Sequence, residues 1–204
     1  MTESIGQNTS SNFADEFGRE IKVENLRRDA VTISAPNDQY PDKPIHEKRI
    51  VEIAASHING LLELNNHHAQ ETSLLNDDQF RHLIREACYS RTIAPSQALI
   101  FAFDPQARYY NPNFVWFCER FSNFIYIDRI IVSQVSRRRG LAGALYQDLF
   151  RWAASQHYDL IVCEVNAVPP NTASDSFHEQ MGFTQVGDGK PHAGKRVRYL
   201  SRSV

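Results

Sequence analysis

The apolar pattern divides the chain near residue 48. Residues 1–48 are rich in Ser, Asn, Asp, Glu and Pro and hold few consecutive apolar positions. They read as a polar N-terminal arm, partly disordered or accessory, with one short strand at residues 30–33. From residue 49 the pattern becomes globular. "RIVEIA" is a strand, and "SHINGLLELNN" puts Ile58, Leu61, Leu62 and Asn65 on one helical face. A second helix follows, capped by Asn76 or Asp77, with Phe80, Leu83, Ile84 and Ala87 at helical spacing. "QALIFAFD" is a strand closed by Asp104-Pro105, and the aromatic, β-branched run at residues 111–133 predicts one strand or a hairpin that ends in a strand over 124–132.

Beyond it, Leu141, Leu145, Leu149, Trp152 and Ala153 form one stripe of a longer helix. "YDLIVCEVN" is nearly continuous in apolar residues, which predicts a central strand, and Pro169-Pro170 end it. "NTASDSFHEQM" is a short helix stopped by Gly182, and "FTQV" and "KRVRYLSR" are closing strands. Helices interleaved with strands over residues 49–204 predict a single mixed α/β domain.

Charge narrows the partners. A formal net charge of −2 over 204 residues argues against a general nucleic-acid binder. No apolar run approaches the ~18 residues that span a bilayer, and the polar, acidic start has no secretion-signal pattern. Cys88, Cys118 and Cys163 show no CxxC pair and no metal-ligand spacing, so the expectation is a cytoplasmic protein with reduced thiols and no metal.

The stretch Ser136-Arg137-Arg138-Arg139-Gly140-Leu141-Ala142-Gly143 joins the strand at 124–132 to the long helix. The first N–H groups of a helix lack intrahelical partners and carry the positive end of its dipole. Small residues there let an anion approach the backbone, as a phosphate or pyrophosphate site requires. The octapeptide alone is equally compatible with a solvated turn. It contains neither GxxxxGK[ST] nor GxGxxG, the two standard phosphate loops.

Arg137-x-x-Gly140-x-Ala142 resembles the Q/R-x-x-G-x-G/A signature of the GCN5-related N-acetyltransferase (GNAT) superfamily. "RIIV" before it, "CEVN" after the helix, and "NTASDSFHEQMGF" resemble the family's neighbouring elements in the same order. The resemblance covers about residues 49–202 and is strongest over 124–183. It implies a GNAT-like mixed sheet with splayed central strands and flanking helices, acetyl-CoA as cosubstrate and an amine as acceptor. Direct attack in a ternary complex, without a metal, is the implied reaction, and a homodimer is left open because the superfamily often dimerises. A non-catalytic acyl-CoA sensor or partner-binding module with the same fold is the rival.

Carried over by position, Ile130, Ile131 and Val132 would pair their backbone with the pantetheine arm. Arg137, Arg138, Arg139, Gly140, Leu141, Ala142 and Gly143 would form the pyrophosphate loop, with Arg138 and Arg139 toward the adenosine 3′-phosphate. Asn171 and Ser174 would lie near the thioester, where Asn171 also suits a helix N-cap. The family's usual acid, a tyrosine, is replaced by His178, whose imidazole titrates near neutrality and could protonate the departing thiolate or could pack on the helix surface.

A base must also free the attacking amine of its proton, and the candidates are carboxylates on the two central strands. Strict alternation places Tyr126, Asp128, Ile130 and Val132 on one face of their strand, and Glu164 with Asn166 on one face of the next. Asp128 ranks above Glu164 as the base, although an ion-pair partner would explain its burial as well. The aromatic run from Tyr109 and Tyr110 through Phe114, Trp116, Phe117 and Phe121 either lines the acceptor pocket or belongs to the core.

Overall fold

The computed structural model describes residues 49–70 and 72–204, together with the backbone of Phe13–Ala14 and Glu20–Ile21. Two units are present, Met1–Lys43 and Pro44–Val204. In the first, the two-residue segments pair antiparallel, with Phe13 opposite Ile21. The strand expected at residues 30–33 lies outside the described residues.

The second unit is built on seven strands. They are β1 (Ile50–Glu52), β2 (Tyr89–Ile93), β3 (Ala98–Phe103), β4 (Phe124–Val132), β5 (Leu160–Val168), β6 (Thr184–His192) and β7 (Lys195–Ser203). Their order in the sheet is β1-β2-β3-β4-β5-β7-β6. Every neighbouring pair is antiparallel except β4 and β5, which run parallel. The helices are α1 (Ile58–His67), α2 (Asp77–Glu86), α3 (Pro112–Cys118), α4 (Leu141–Ser155) and α5 (Thr172–Gln180).

The sheet separates two cores. One face carries Ala98, Ile100, Ala102, Ile125, Ile127 and Ile161 against Leu141, Leu145, Leu149 and Ala153 of α4. The other carries Leu99, Phe101, Phe103, Phe124, Tyr126 and Val162 against α1, α2 and α3. All six residues of β3 are therefore buried, and its sequence shows no polar alternation. α4 buries Leu141, Leu145, Leu149 and Ala153 as its stripe predicts, and adds Tyr146 and Phe150.

Three expectations change. Residues 112–118 form α3 rather than a strand, because Asn111 caps the segment by accepting from the Asn113 N–H at 2.8 Å and Pro112 suits the first helical turn. Phe114 and Phe117, three apart, then enter the core together. "YSRTI" forms β2, an element absent from the expected order; its five residues are too few and too mixed in polarity to display a period. The closing strand read at "FTQV" continues to His192 as β6, one arm of a long hairpin with β7.

Candidate active site

The site is created by a failure of pairing. β4 and β5 are in register only at Phe124–Leu160, Ile125–Ile161 and Tyr126–Val162. Beyond Tyr126 the strands part, so the β5-facing backbone edge of β4 from Ile127 to Val132 has no strand partner among the described residues, while β3 continues to pair its other edge through Val132. The opening forms a cleft walled by Ile127, Asp128, Arg129 and Ile130 on one strand and Cys163, Glu164, Val165 and Asn166 on the other.

A bulge sits at the start of the divergence. Ala102 pairs with Ile127 and Phe101 with Arg129, which leaves Asp128 as the extra residue on β4. The alternation expected from the sequence is broken there. Tyr126 and Ile131 belong to the α1–α3 core, whereas Ile130 and Val132 pack toward α4, so Tyr126 does not share their face. Asp128 turns to the α1–α3 side, where the Tyr109 hydroxyl donates to Oδ1 and the Arg129 Nε donates to Oδ2 at 2.6 Å.

That ion pair is buried, with side-chain exposures of 6% for Arg129 and 3% for Asp128. Arg129 also donates from Nη1 to Asn65 Oδ1 at 2.6 Å. Asn65, fully buried on α1, in turn donates to the Ser73 carbonyl at 2.9 Å, and Asn66 both accepts from the Leu75 N–H and donates to its carbonyl. These bonds fix the loop between α1 and α2, whose Thr72 lines the cleft.

Glu164 is the less committed carboxylate. It projects from β5 toward the α1–α3 side, where Tyr126 donates to Oε2 and Asn113 donates to Oε1, each at 2.8 Å. Burial, reinforced by the charge on Asp128, pushes its carboxyl up to about 7, against the lowering effect of the two hydrogen bonds. With no cationic partner within bonding distance among the described residues, it is a proton acceptor poised at neutral pH. Asp128, by contrast, is engaged by a guanidinium and a phenol, the ion-pair arrangement that the sequence also allowed for it.

A second groove runs along Ile130, Ile131 and Val132 to Arg137 and Ala142, with His68 and Thr72 at one side and Asn171, Ala173, Ser174, Phe177 and His178 as its far wall. Gly140 caps α4 in the left-handed region at φ 71°, a conformation that glycine adopts without cost. The first turn of α4 carries no acidic residue, and a side chain at Gly143 would meet no atom within 4 Å, so the helix N-terminus is open to an anion. Arg137, Arg138 and Arg139 are exposed around it, with Arg137 facing His68 across 3.4 Å.

Asn171 is the N-cap of α5, accepting from the Ser174 N–H at 3.1 Å, and both residues line groove and cleft alike. His178 does not pack on the helix surface. It is only 5% exposed, lines both spaces, and bonds through both ring nitrogens to Ser174 and Tyr146. Burial lowers its pKa, which favours the neutral imidazole, against the Ser174 hydrogen bond and the Asp175 charge. Of the aromatic run, Phe114 and Phe117 are core, Trp116 stacks on Tyr199, Tyr110 is exposed, and Tyr109 reaches Asp128.

Sequence reasoning missed Asn113, Arg129 and Tyr146 as parts of the site, and put Tyr126 on the face of Ile130 and Val132. Only Asn113 had a local signal, the Asn-Pro-Asn cap that starts α3. The others are set by the bulge and by tertiary contact.

Residues 102–183 match the model of the Acetyltransferase (GNAT) family. Among solved structures, Ard1 from Thermoplasma volcanium shares the fold with a TM-score of 0.60 at 17% identity, over 76% of this chain and 97% of that one. Arabidopsis thaliana NAA60, in complex with acetyl-CoA, gives a TM-score of 0.59 at 12% identity over 76% and 98% of the two chains. The ribosomal-protein-S18-alanine N-acetyltransferase of Escherichia coli gives 0.54 at 13% over 76% and 92%. No curated protein matches the chain.

Proposed function

We propose that this chain, a member of the GNAT acetyltransferase superfamily, is an N-acetyltransferase that moves an acetyl group from acetyl-CoA to a primary amine. The observation that carries the reading is the divergence of β4 from β5 beyond Tyr126, with Glu164 lining the gap and the Gly140-capped start of α4 following the unpaired part of β4 in the chain.

The unpaired edge of β4 at Ile130, Ile131 and Val132 would hold the pantetheine amides as an additional strand would. Backbone N–H groups of Leu141, Ala142 and Gly143 would receive the pyrophosphate, assisted by Arg137, and Arg138 and Arg139 would serve the adenosine phosphate. Acetyl-CoA supplies the activated carbonyl; the residues of this chain bind it, orient it and move protons. A backbone amide of β4 at the bulge would polarise the thioester oxygen.

The amine enters from the α1–α3 side, between the loop at residues 68–76 and Lys195 of β7. Glu164 accepts its proton, directly or through water, and the neutral amine attacks. Asp128 raises the proton affinity of Glu164 by its charge and is itself neutralised by Arg129, which makes it a tuning group rather than the base. His178 stands at the junction of groove and cleft, where the thiolate leaves. No helix among the described residues is long and apolar enough to cross a membrane.

A thermal-shift titration with acetyl-CoA followed by a thiol-release assay over an amine panel tests the assignment. Stabilisation with thiol release dependent on an amine is expected. Stabilisation without release on any amine would instead favour the sensor, and no stabilisation would remove both.

A further inference from the structure

His178 stands where the superfamily resemblance places a tyrosine, yet it meets a phenol supplied by a different helix. Its Nδ1 lies 2.7 Å from the Ser174 carbonyl oxygen and 3.2 Å from Ser174 Oγ, and its Nε2 lies 2.8 Å from the Tyr146 hydroxyl. A carbonyl can only accept, so Nδ1 carries the ring proton and Nε2 offers a lone pair. The Tyr146 hydroxyl therefore donates to Nε2. In this tautomer His178 has no proton on the nitrogen that faces the phenol.

Both side chains are held in place. Tyr146 is fully buried on α4, and its ring meets Phe150, Phe177 and Phe183 edge-on. Phe183 and Phe177 likewise pack edge-on against the imidazole. A leucine or phenylalanine would fill the Tyr146 position without the cost of burying a hydroxyl. Tyr146 nonetheless lines the same cleft as Glu164, from the α4 side of the sheet.

We propose that Tyr146 and His178 form a proton shuttle that carries the second amine proton to the departing sulfur. The proposal rests on the acyltransferase reading above. An ammonium acceptor loses two protons in becoming an amide. Glu164 takes the first, before attack, and it passes to solvent. When the C–N bond has formed, the nitrogen still bears a surplus proton. The Tyr146 oxygen receives it while its own hydrogen moves to Nε2, leaving His178 as an imidazolium anchored to the Ser174 carbonyl. As the C–S bond breaks, the bond's electron pair goes to sulfur. Nε2 then returns its proton to the Tyr146 oxygen, and the tyrosine hydrogen goes to the thiolate. Thiol and amide leave, and both side chains regain their starting states. The low proton affinity of the buried imidazole suits a store that must be empty at rest and must discharge readily.

The experiment pairs steady-state kinetics with nitrogen-15 NMR of the histidine rings in the full-length protein. Tyr146→Phe should lower kcat on the order of 100-fold, the range of general acid–base effects, with KM for acetyl-CoA changed by less than ~3-fold. Adding His178→Tyr to that variant returns a phenol to α5 and should recover at least ~10-fold of the loss. In the free protein, His178 should be protonated at Nδ1, and its Nε2 resonance should move on Tyr146→Phe. Wild-type turnover with Tyr146→Phe within ~3-fold of it would overturn the shuttle alone. A double variant no faster than Tyr146→Phe, or a ring protonated at Nε2, would also overturn it. A folded wild type that acetylates no amine would overturn the acyltransferase reading and the shuttle with it.

Discussion

The Tyr126 hydroxyl donates to Glu164 Oε2 at 2.8 Å, binding the last paired residue of β4 to the first polar residue of β5 beyond the point where the strands part. The same contact that closes the paired half of the sheet thus positions the carboxylate at the entrance to the open half. It also opposes the burial that would otherwise raise the proton affinity of Glu164 further.

Turnover should therefore rise with pH through about 7, since only the ionised Glu164 accepts a proton. Glu164→Gln should abolish this acid limb and lower kcat about 100-fold or more. A pH profile of kcat/KM for both proteins checks it.

Two neighbours should move the limb in opposite directions. Tyr126→Phe removes a hydrogen bond that favours the carboxylate and should shift the limb to higher pH. Asp128→Asn removes a negative charge that disfavours it and should shift the limb to lower pH. Shifts of the same sign in both variants would contradict the tuning role given to Asp128.

Glu164 also couples stability to pH, with a sign opposite to that of a salt-bridged carboxylate. Burial pushes its carboxyl up to about 7 from an ordinary value of 4.5, so between these two values the folded state binds more protons than the unfolded one. Its contribution is fully present below about pH 4.5 and is lost as pH rises through 7. The difference in melting temperature between wild type and Glu164→Gln should accordingly fall from pH 5 to pH 8, as differential scanning calorimetry would show.

Arg129→Met should destabilise the domain by roughly 3–5 kcal/mol, because it leaves the buried Asp128 without its ion-pair partner. It should also release Asn65 from β4 and raise KM for the amine through the loop at residues 68–76. Urea denaturation and acceptor kinetics check the two effects separately.

Gly140→Val should abolish tight acetyl-CoA binding. Its positive φ makes a β-branched residue strained there by about 1–2 kcal/mol, which disturbs the cap of α4. Isothermal titration calorimetry would detect the loss, with circular dichroism verifying that the fold persists.

Most of the fold was legible in the sequence because its elements have clear periods. The stripe from Leu141 to Ala153, the apolar run of β5 and the Asn76 cap each specify an element locally. The glycine-rich turn after β4 was legible for the same reason, since Gly140 answers a backbone demand at one position. The catalytic side was harder to read. A single extra residue at Asp128 shifts the phase of β4, and no local pattern announces a bulge. That shift brings Asp128 to Arg129 and Tyr109, and takes Tyr126 off the face that strict alternation gives it with Ile130 and Val132. α3 hid within an aromatic run whose composition favours strands, and the Asn111 cap outweighed that preference. Tyr146 lies beside the apolar stripe of α4, and only the fold brings its hydroxyl to His178.

Incubation with acetyl-CoA labelled in the acetyl group, over a panel of small amines and peptides, tests the central claim most directly. Label should appear in an amide in an amount equal to the thiol released, and Glu164→Gln should transfer on the order of 1% as much. Tight acetyl-CoA binding with no label transferred to any amine would contradict it.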